Sequence, residues 1–380
     1  MAQLSVVRSP RDEALVLARS LPAPGPAPGR YWKIDVNKID VDAIRVGTAE
    51  AKVEIPKEAA THGVVACDLA TAAREHARVA SCEGTVVDWH TSKFAALNAA
   101  HRENGTCIVI PRETTVNEPI VVRWKLQGEA AFPYTLVVAC PGSKATVVVR
   151  FERSDGLALV SDVIESIVTE NAQLECVVVQ DLAEDVRIFA SRRGAVERGG
   201  ELHWAIAELG AGLSISDVRS TTVGEGASAS ISGLFFPSGT QHVSLESEVD
   251  HPAPQTRSET LFKSAAIGNG QAHFVGNIRI RPSSHGVDAT LRDDALLLSK
   301  GAHIDSIPAL EIGANDVRAY HGATIGALDD DVLFYAMTRG IARAEAERMI
   351  ALGFFEPAIV RFPTEGLRYE LRSKLAEKIG

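Results

Sequence analysis

Cys67, Cys82, Cys107, Cys140 and Cys176 are the only thiols, odd in number, widely spaced and never in a C-x-x-C pair. That pattern indicates neither a disulfide framework nor a zinc knuckle. Cys107 and Cys176 fall inside strand-like runs, where a reduced thiol packs as a small hydrophobe. The 11 histidines include no H-E-x-x-H and no paired metal spacing, and a lone imidazole is ordinarily a satisfied structural group. His321 stands apart. It lies in Asp316-Val317-Arg318-Ala319-Tyr320-His321-Gly322-Ala323-Thr324, read here as falling between the last strand-like rung and the first C-terminal helix, where a side chain can face a neighbouring subunit.

The adjacent carboxylates Asp293-Asp294 and Asp329-Asp330-Asp331 could suggest acid–base work on a sugar. Neighbours on a strand point to opposite faces, however, and acids before a helix cap it, so they read as solvated turns and a cap. Ser284, His285 and Asp288 have the residue types of a hydrolytic triad without a G-x-S-x-G elbow or an oxyanion loop. Gly224-Glu225-Gly226 looks like part of a dinucleotide fingerprint, but a strand-like stretch follows where a helix is required, which assigns it to a turn. The sequence holds no G-x-x-x-x-G-K-[ST], so nucleotide energy has to come from a partner.

The elements that must position these groups are mostly strands. Of 380 residues, 46% are hydrophobic but only 6% aromatic, a composition rich in Val, Ile, Leu and Ala that suits stacked β structure. The net charge of −10, with cations scattered among the acids, supplies no basic stripe for nucleic acid. Met1 to Pro10 lacks the pattern of a signal peptide, and no run approaches the ~20 apolar residues of a membrane span. A cytoplasmic location is expected.

Leu21 to Gly29, LPAPGPAPG, marks a loop after a short N-terminal helix. Helical spacing predicts helices over Asp68–Ser81 and Thr91–Ala100, the latter capped by Ser92. From about Gly128 the character changes to successive β runs: Tyr134–Ala139, Ala145–Phe151, Leu174–Val179, Leu202–Ala207, Ala229–Phe235 and Phe274–Ile280. Gly- or Asn-containing turns precede several of them at intervals of about thirty residues, as when a chain winds repeatedly around a solenoid. The longer interval, around Pro237 to Pro254, reads as an insertion. After Asp329, three helices are predicted: Val332–Arg339, Arg343–Leu352 and Leu367–Ile379, the last with Leu367, Leu371 and Leu375 on one face. The resulting division is 1–127, mixed helix and strand; 128–328, a β core for which a parallel β-helix is favoured, although a large antiparallel sandwich would show similar strands; and 329–380, helical.

The succession from Asp250 to Phe355 resembles the SufB/SufD scaffold family. It runs through His251-Pro252, Gly276-Asn277-Ile278, Asp288-Ala289, Leu296-Leu297-Leu298-Ser299, Leu310-Glu311-Ile312, His321-Gly322-Ala323-Thr324, Leu333-Phe334-Tyr335 and Arg339-Gly340-Ile341. Tyr31-Trp32-Lys33 and Phe94-Ala95-Ala96-Leu97-Asn98 echo it upstream. The resemblance implies a mainly β fold, a right-handed parallel β-helix with helical N- and C-terminal regions. It also implies a non-catalytic scaffold subunit for iron–sulfur cluster assembly that pairs with a SufB-like paralogue and binds the ABC-type ATPase SufC through its C-terminal helices. His321-Gly322-Ala323-Thr324 is similar to the SufD branch, which makes His321 the candidate cluster-site residue. A cysteine is usual two residues before that histidine, and here Ala319 stands in its place. Phe334, Tyr335, Met337, Arg339, Met349, Ile350, Phe354 and Phe355 are the candidates for ATPase docking. No cofactor is expected to be held stably by this chain alone, the cluster being transient in the complex, and an association of flavin with the assembled complex is left open. Two rival readings are a stand-alone homodimeric scaffold and a β-solenoid polysaccharide lyase or hydrolase.

Overall fold

The computed structural model describes residues 10–22, 45–76, 79, 81–153 and 156–380. The Pro-rich loop beyond Pro22 and Tyr31-Trp32-Lys33 lie outside them. The chain starts with α1 (Pro10–Ser20), β1 (Thr48–Glu54), α2 (Lys57–Thr61), β2 (Val65–Asp68), α3 (Leu69–Glu75) and α4 (Lys93–His101). Strands then follow without an intervening helix: β3 (Thr106–Ile110), β4 (Ile120–Gln127), β5 (Ala130–Ala131), β6 (Tyr134–Ala139), β7 (Lys144–Arg153), β8 (Leu159–Val168), β9 (Gln173–Gln180), β10 (Arg187–Val196), β11 (Glu201–Glu208), β12 (Leu213–Thr222), β13 (Ser228–Phe235), β14 (His242–His251), β15 (Arg257–Ala266), β16 (Gln271–Ile280), β17 (Val287–Leu297), β18 (His303–Ile312) and β19 (Val317–Ala327). Helices α5 (Asp330–Thr338), α6 (Arg343–Ile359) and α7 (Glu365–Ile379) complete the chain.

Alternate strands belong to two facing sheets, in the orders β1-β4-β7-β9-β11-β13-β15-β17-β19 and β18-β16-β14-β12-β10-β8-β6-β3-β2. Pairing is parallel from β3 and β4 onward, and this is a β-solenoid. The coils therefore begin upstream of residue 128. Because side chains alternate across a strand, every second residue of each coil points into the lumen and stacks on its register partners. One such column runs Val147, Cys176, Trp204, Ile231, Thr260, Leu291, and each member is fully or nearly fully buried. At about 1.5–3 kcal/mol per large apolar side chain removed from water, such columns supply the stability that no coil has by itself.

The turns stack as well. Glu113, Gly142, Asn171, Gly199, Gly226, Gln255 and Gly286 all have φ between 56° and 71°, and the amide of each of the last three donates to the next coil, as Gln255 N does to His285 O at 2.8 Å. This column corrects the expected insertion at Pro237–Pro254: the interval holds β14, an ordinary rung, and its turn passes through Gln255. A glutamine at that position carries no glycine signal for sequence reading to detect.

Local capping follows expectation at Ser92 and Asp329, and Asp68 adds a cap that was not expected. Asp68 accepts from Thr71 N at 2.8 Å and Ser92 from Ala95 N at 3.3 Å, although α3 ends at Glu75, earlier than predicted. Asp329 caps α5 by accepting from Asp331 N and Val332 N. Helices α6 and α7 lie across the outside of the nine-stranded sheet, burying Phe355, Ile359, Phe362, Leu367, Leu371 and Leu375 against Val177, Ala205, Leu234 and Phe236. Paired hydrogen bonds from Arg150 to Glu370 (2.8 and 2.7 Å) and from Arg361 to Glu259 (2.8 and 2.6 Å) fix their position.

Candidate functional site

The two ends of the solenoid differ. At the N-terminal end β1 pairs antiparallel with β4, and β2 with β3, so each sheet finishes on a reversed strand. At the other end β18 and β19 are the outermost strands, and among the described residues no further strand pairs with them. Ile307, Ile312, Tyr320 and Ile325 are exposed there. An open strand edge offers unpaired N–H and C=O groups as a template for another chain.

His321 belongs to this edge. It lies within β19, the last rung, and not after it as the sequence had suggested. Its register partner is Leu291, so it extends the lumen column of Val147, Cys176 and Trp204 to the mouth. Val317 and Ala319, on the same face of the strand, pack against the lumen cluster. His321 is nevertheless exposed, because nothing among the described residues stacks beyond it. A shallow groove of about 350 Å³ beside it is lined by Leu291, Tyr320, His321 and Thr324, among others.

The backbone at the edge can be derived from parity. Asp288 N donates to Thr256 O, the residue just before β15, so the odd residues of β17 turn toward β19, and the register then turns the odd residues of β19, His321 included, toward the free side. On β18, His303 N donates to Gly270 O at 3.0 Å and Gly313 N to Ile280 O at 2.8 Å. The even residues thus face outward, and Pro308 is one of them. Lacking an N–H, it interrupts the free edge of β18 as proline does on protected edges.

The docking candidates are not equivalent. Phe334, Tyr335, Met337, Arg339 and Met349 are exposed, and the Arg339 guanidinium lies 5.0 Å from the Tyr335 ring centroid. Ile350 and Phe354 are partly covered, with Lys263 Nζ 4.7 Å from the Phe354 ring centroid. Phe355 is a correction: it is fully buried, 5.7 Å from Phe236 between ring centroids, and attaches α6 to the sheet. Val332, also exposed on α5, was not among the candidates.

Other groups singled out by type take structural roles. All five cysteines are free, and burial pushes the Cys107 and Cys176 thiols up to about 12, far from a reactive thiolate. Ser284 Oγ donates to His251 O at 2.6 Å, His285 is exposed, and Asp288 pairs with Arg318 at 3.1 Å, so no triad forms. Asp293 and Asp294 do not occupy a solvated turn. Both are buried in β17, a placement the sequence reading missed. Asp294 accepts from Lys263 and from Arg292, each at 2.8 Å, which holds its carboxyl below its usual range against the opposing effect of burial.

Residues 122–354 match the family model described as SUF system FeS cluster assembly, SufBD core domain. The chain belongs to the SufBD family. Among curated relatives, the iron–sulfur cluster assembly protein SufD of Bacillus subtilis is 28% identical over 338 residues, 87% of this chain and 77% of that protein. An iron–sulfur cluster assembly SufBD family protein of Staphylococcus epidermidis is 28% identical over 314 residues, 81% of this chain and 68% of its own. This SufBD chain is thus a homologue of SufD, within a family of scaffold-type proteins for iron–sulfur cluster assembly. No described helix is long and apolar enough to cross a membrane.

Proposed function

We propose that the chain is the SufD-type, non-catalytic subunit of a cytoplasmic assembly complex. A SufB-like sister chain docks on the open end at β18 and β19, and a SufC-like ABC ATPase docks on the exposed face of α5 and the start of α6. The nascent cluster is cargo held transiently at the first interface, beside His321, and this chain alone retains no cofactor. The observation that carries this reading is the open edge, with the family-matching histidine at the mouth of the lumen. An imidazole is a suitable iron donor, and a ligand shared between two chains makes retention depend on closure of the interface. Hydrolysis of ATP in the second partner is the energy source that opens it.

Co-expression with both partners tests the reading. The three chains should co-purify, and removing residues after Leu328 should abolish capture of the ATPase. His321→Ala should leave both associations intact while lowering cluster assembly in the reconstituted complex. Retained ATPase capture by the truncated chain, or unchanged assembly by the variant, counts against the corresponding half. A strong cluster chromophore after anaerobic reconstitution of the isolated chain would favour a homodimeric scaffold instead.

A further inference from the structure

Asp293 is a carboxylate without a counterpart. In the register it follows Val149, Val178, Ile206, Gly233 and Phe262 in the lumen column next to that of His321, and Ala323 is stacked above it. It is 0% exposed, and neither of its oxygens has a hydrogen-bond partner. Burial pushes its carboxyl up to about 7, with the nearby Ser306 hydroxyl of the facing sheet opposing that rise, yet Ser306 makes no bond of proper distance and angle, and its own oxygen is also unpartnered. Its sequence neighbour Asp294, outside the lumen, has both oxygens engaged, Oδ2 by Lys263 and Arg292 and Oδ1 by the Thr324 hydroxyl. A buried carboxylate left bare costs several kcal/mol unless a proton, a cation or water occupies the place, and such gaps mark an absent group.

We propose that Asp293 is a metal-binding carboxylate of the lumen mouth and that, with Ser306 and the His321 imidazole one coil further out, it forms this chain's half of a site for a divalent transition-metal cation, ferrous iron being the cargo. The inference rests on the reading that the mouth faces the assembly interface. All three groups are N or O donors, the class that suits ferrous iron, manganese or zinc more than soft cuprous ion. Among the described residues, the methyl of Ala323 is the one side chain between Asp293 and the open end in its own column. Among the described residues no three His, Cys, Asp or Glu side chains converge on one point. Asp293 and His321 therefore supply part of a shell that water or the docked sister chain completes.

The test uses the full chain, alone and with its sister subunit, titrated anaerobically with Co²⁺ as a spectroscopic probe and with Fe²⁺ in equilibrium dialysis. One equivalent should bind, and Asp293→Asn and His321→Ala should each weaken it roughly tenfold or more. Asp288→Asn, at an exposed ion pair, should not. Asp293→Asn is isosteric and removes a buried charge, so its melting temperature should equal or exceed that of the parent, which shows that lost binding is not lost folding. Wild-type affinity in Asp293→Asn, or no uptake by the parent chain in either state, overturns the proposal. Sister-chain capture is measured on the same samples: capture without metal uptake sinks this inference and spares the complex, whereas no capture by the parent sinks the complex itself.

Discussion

The closed and open ends are made from the same kind of coil and differ in what the last strand faces. At the closed end, Trp124 on β4 is 1% exposed, with its indole N–H donating to Thr135 Oγ1 at 3.0 Å, under the reversed strand β1. At the open end, the equivalent inward positions on β19 face solvent. Ile325 is 46% exposed although it is in register with the buried Ala295. A chain that had evolved only to be stable would cover both ends. Under the proposed function the bare end is the surface that another molecule finishes, and the contrast then separates residues that hold the fold from residues that hold a partner.

The separation can be broken by mutation. Trp124→Ala should be the most damaging change, destabilising the isolated chain by about 3–5 kcal/mol in urea unfolding, because a large cavity opens beneath the cap. A much smaller loss would mean that the cap does not seal the lumen. The next effect is that of acid. His251 is buried among Thr222, Thr256 and Ser258, and burial lowers it to about 4 despite the opposing charge of Asp250. The unfolded chain takes up this proton first, so stability is complete above pH 6.5, the ordinary histidine value. It declines as pH falls toward 4, by on the order of 3 kcal/mol. His251→Gln should flatten that limb of the pH–stability profile, and an unchanged limb would assign the acid response elsewhere.

At the open end the order of effects reverses. Ile325→Asp should change the stability of the isolated chain by no more than about 0.5 kcal/mol while reducing sister-chain association at least tenfold in a binding titration. A large drop in melting temperature would show that the edge is held by this chain's own packing. Phe334→Ser on α5 should disturb folding least of all, again within about 0.5 kcal/mol, and be detected only as lost ATPase capture.

Much of the architecture was legible because β7, β9, β11 and β13 present Val, Ile, Leu and Ala in short runs. Their opposite numbers were not. Strands β10, β12 and β14 read as polar, since the lumen itself contains charge: Arg192 is fully buried with Asp162 at 3.2 Å and Glu208 at 2.6 Å, and Ser214 and Ser216 donate to Glu208. A pattern rule that expects apolar residues inside assigns such strands to loops. The same cause hid Asp293, whose type suggested a solvated turn. His321 was found by likeness to a family motif, but its inward direction required the register, which depends on pairings about thirty residues apart that no local pattern encodes. Phe355 and Phe354 looked alike as letters, and only the docking of α6 distinguishes them.

Pro308 and the reversed strands at the far end have a joint effect on assembly. Parallel coils could in principle stack head to tail without limit into a fibre, since each new rung resembles the last. Here the far end has been turned backward, so if the open face takes up a sister chain as proposed, growth stops once two open faces have met, and the product is a bounded pair, not a filament.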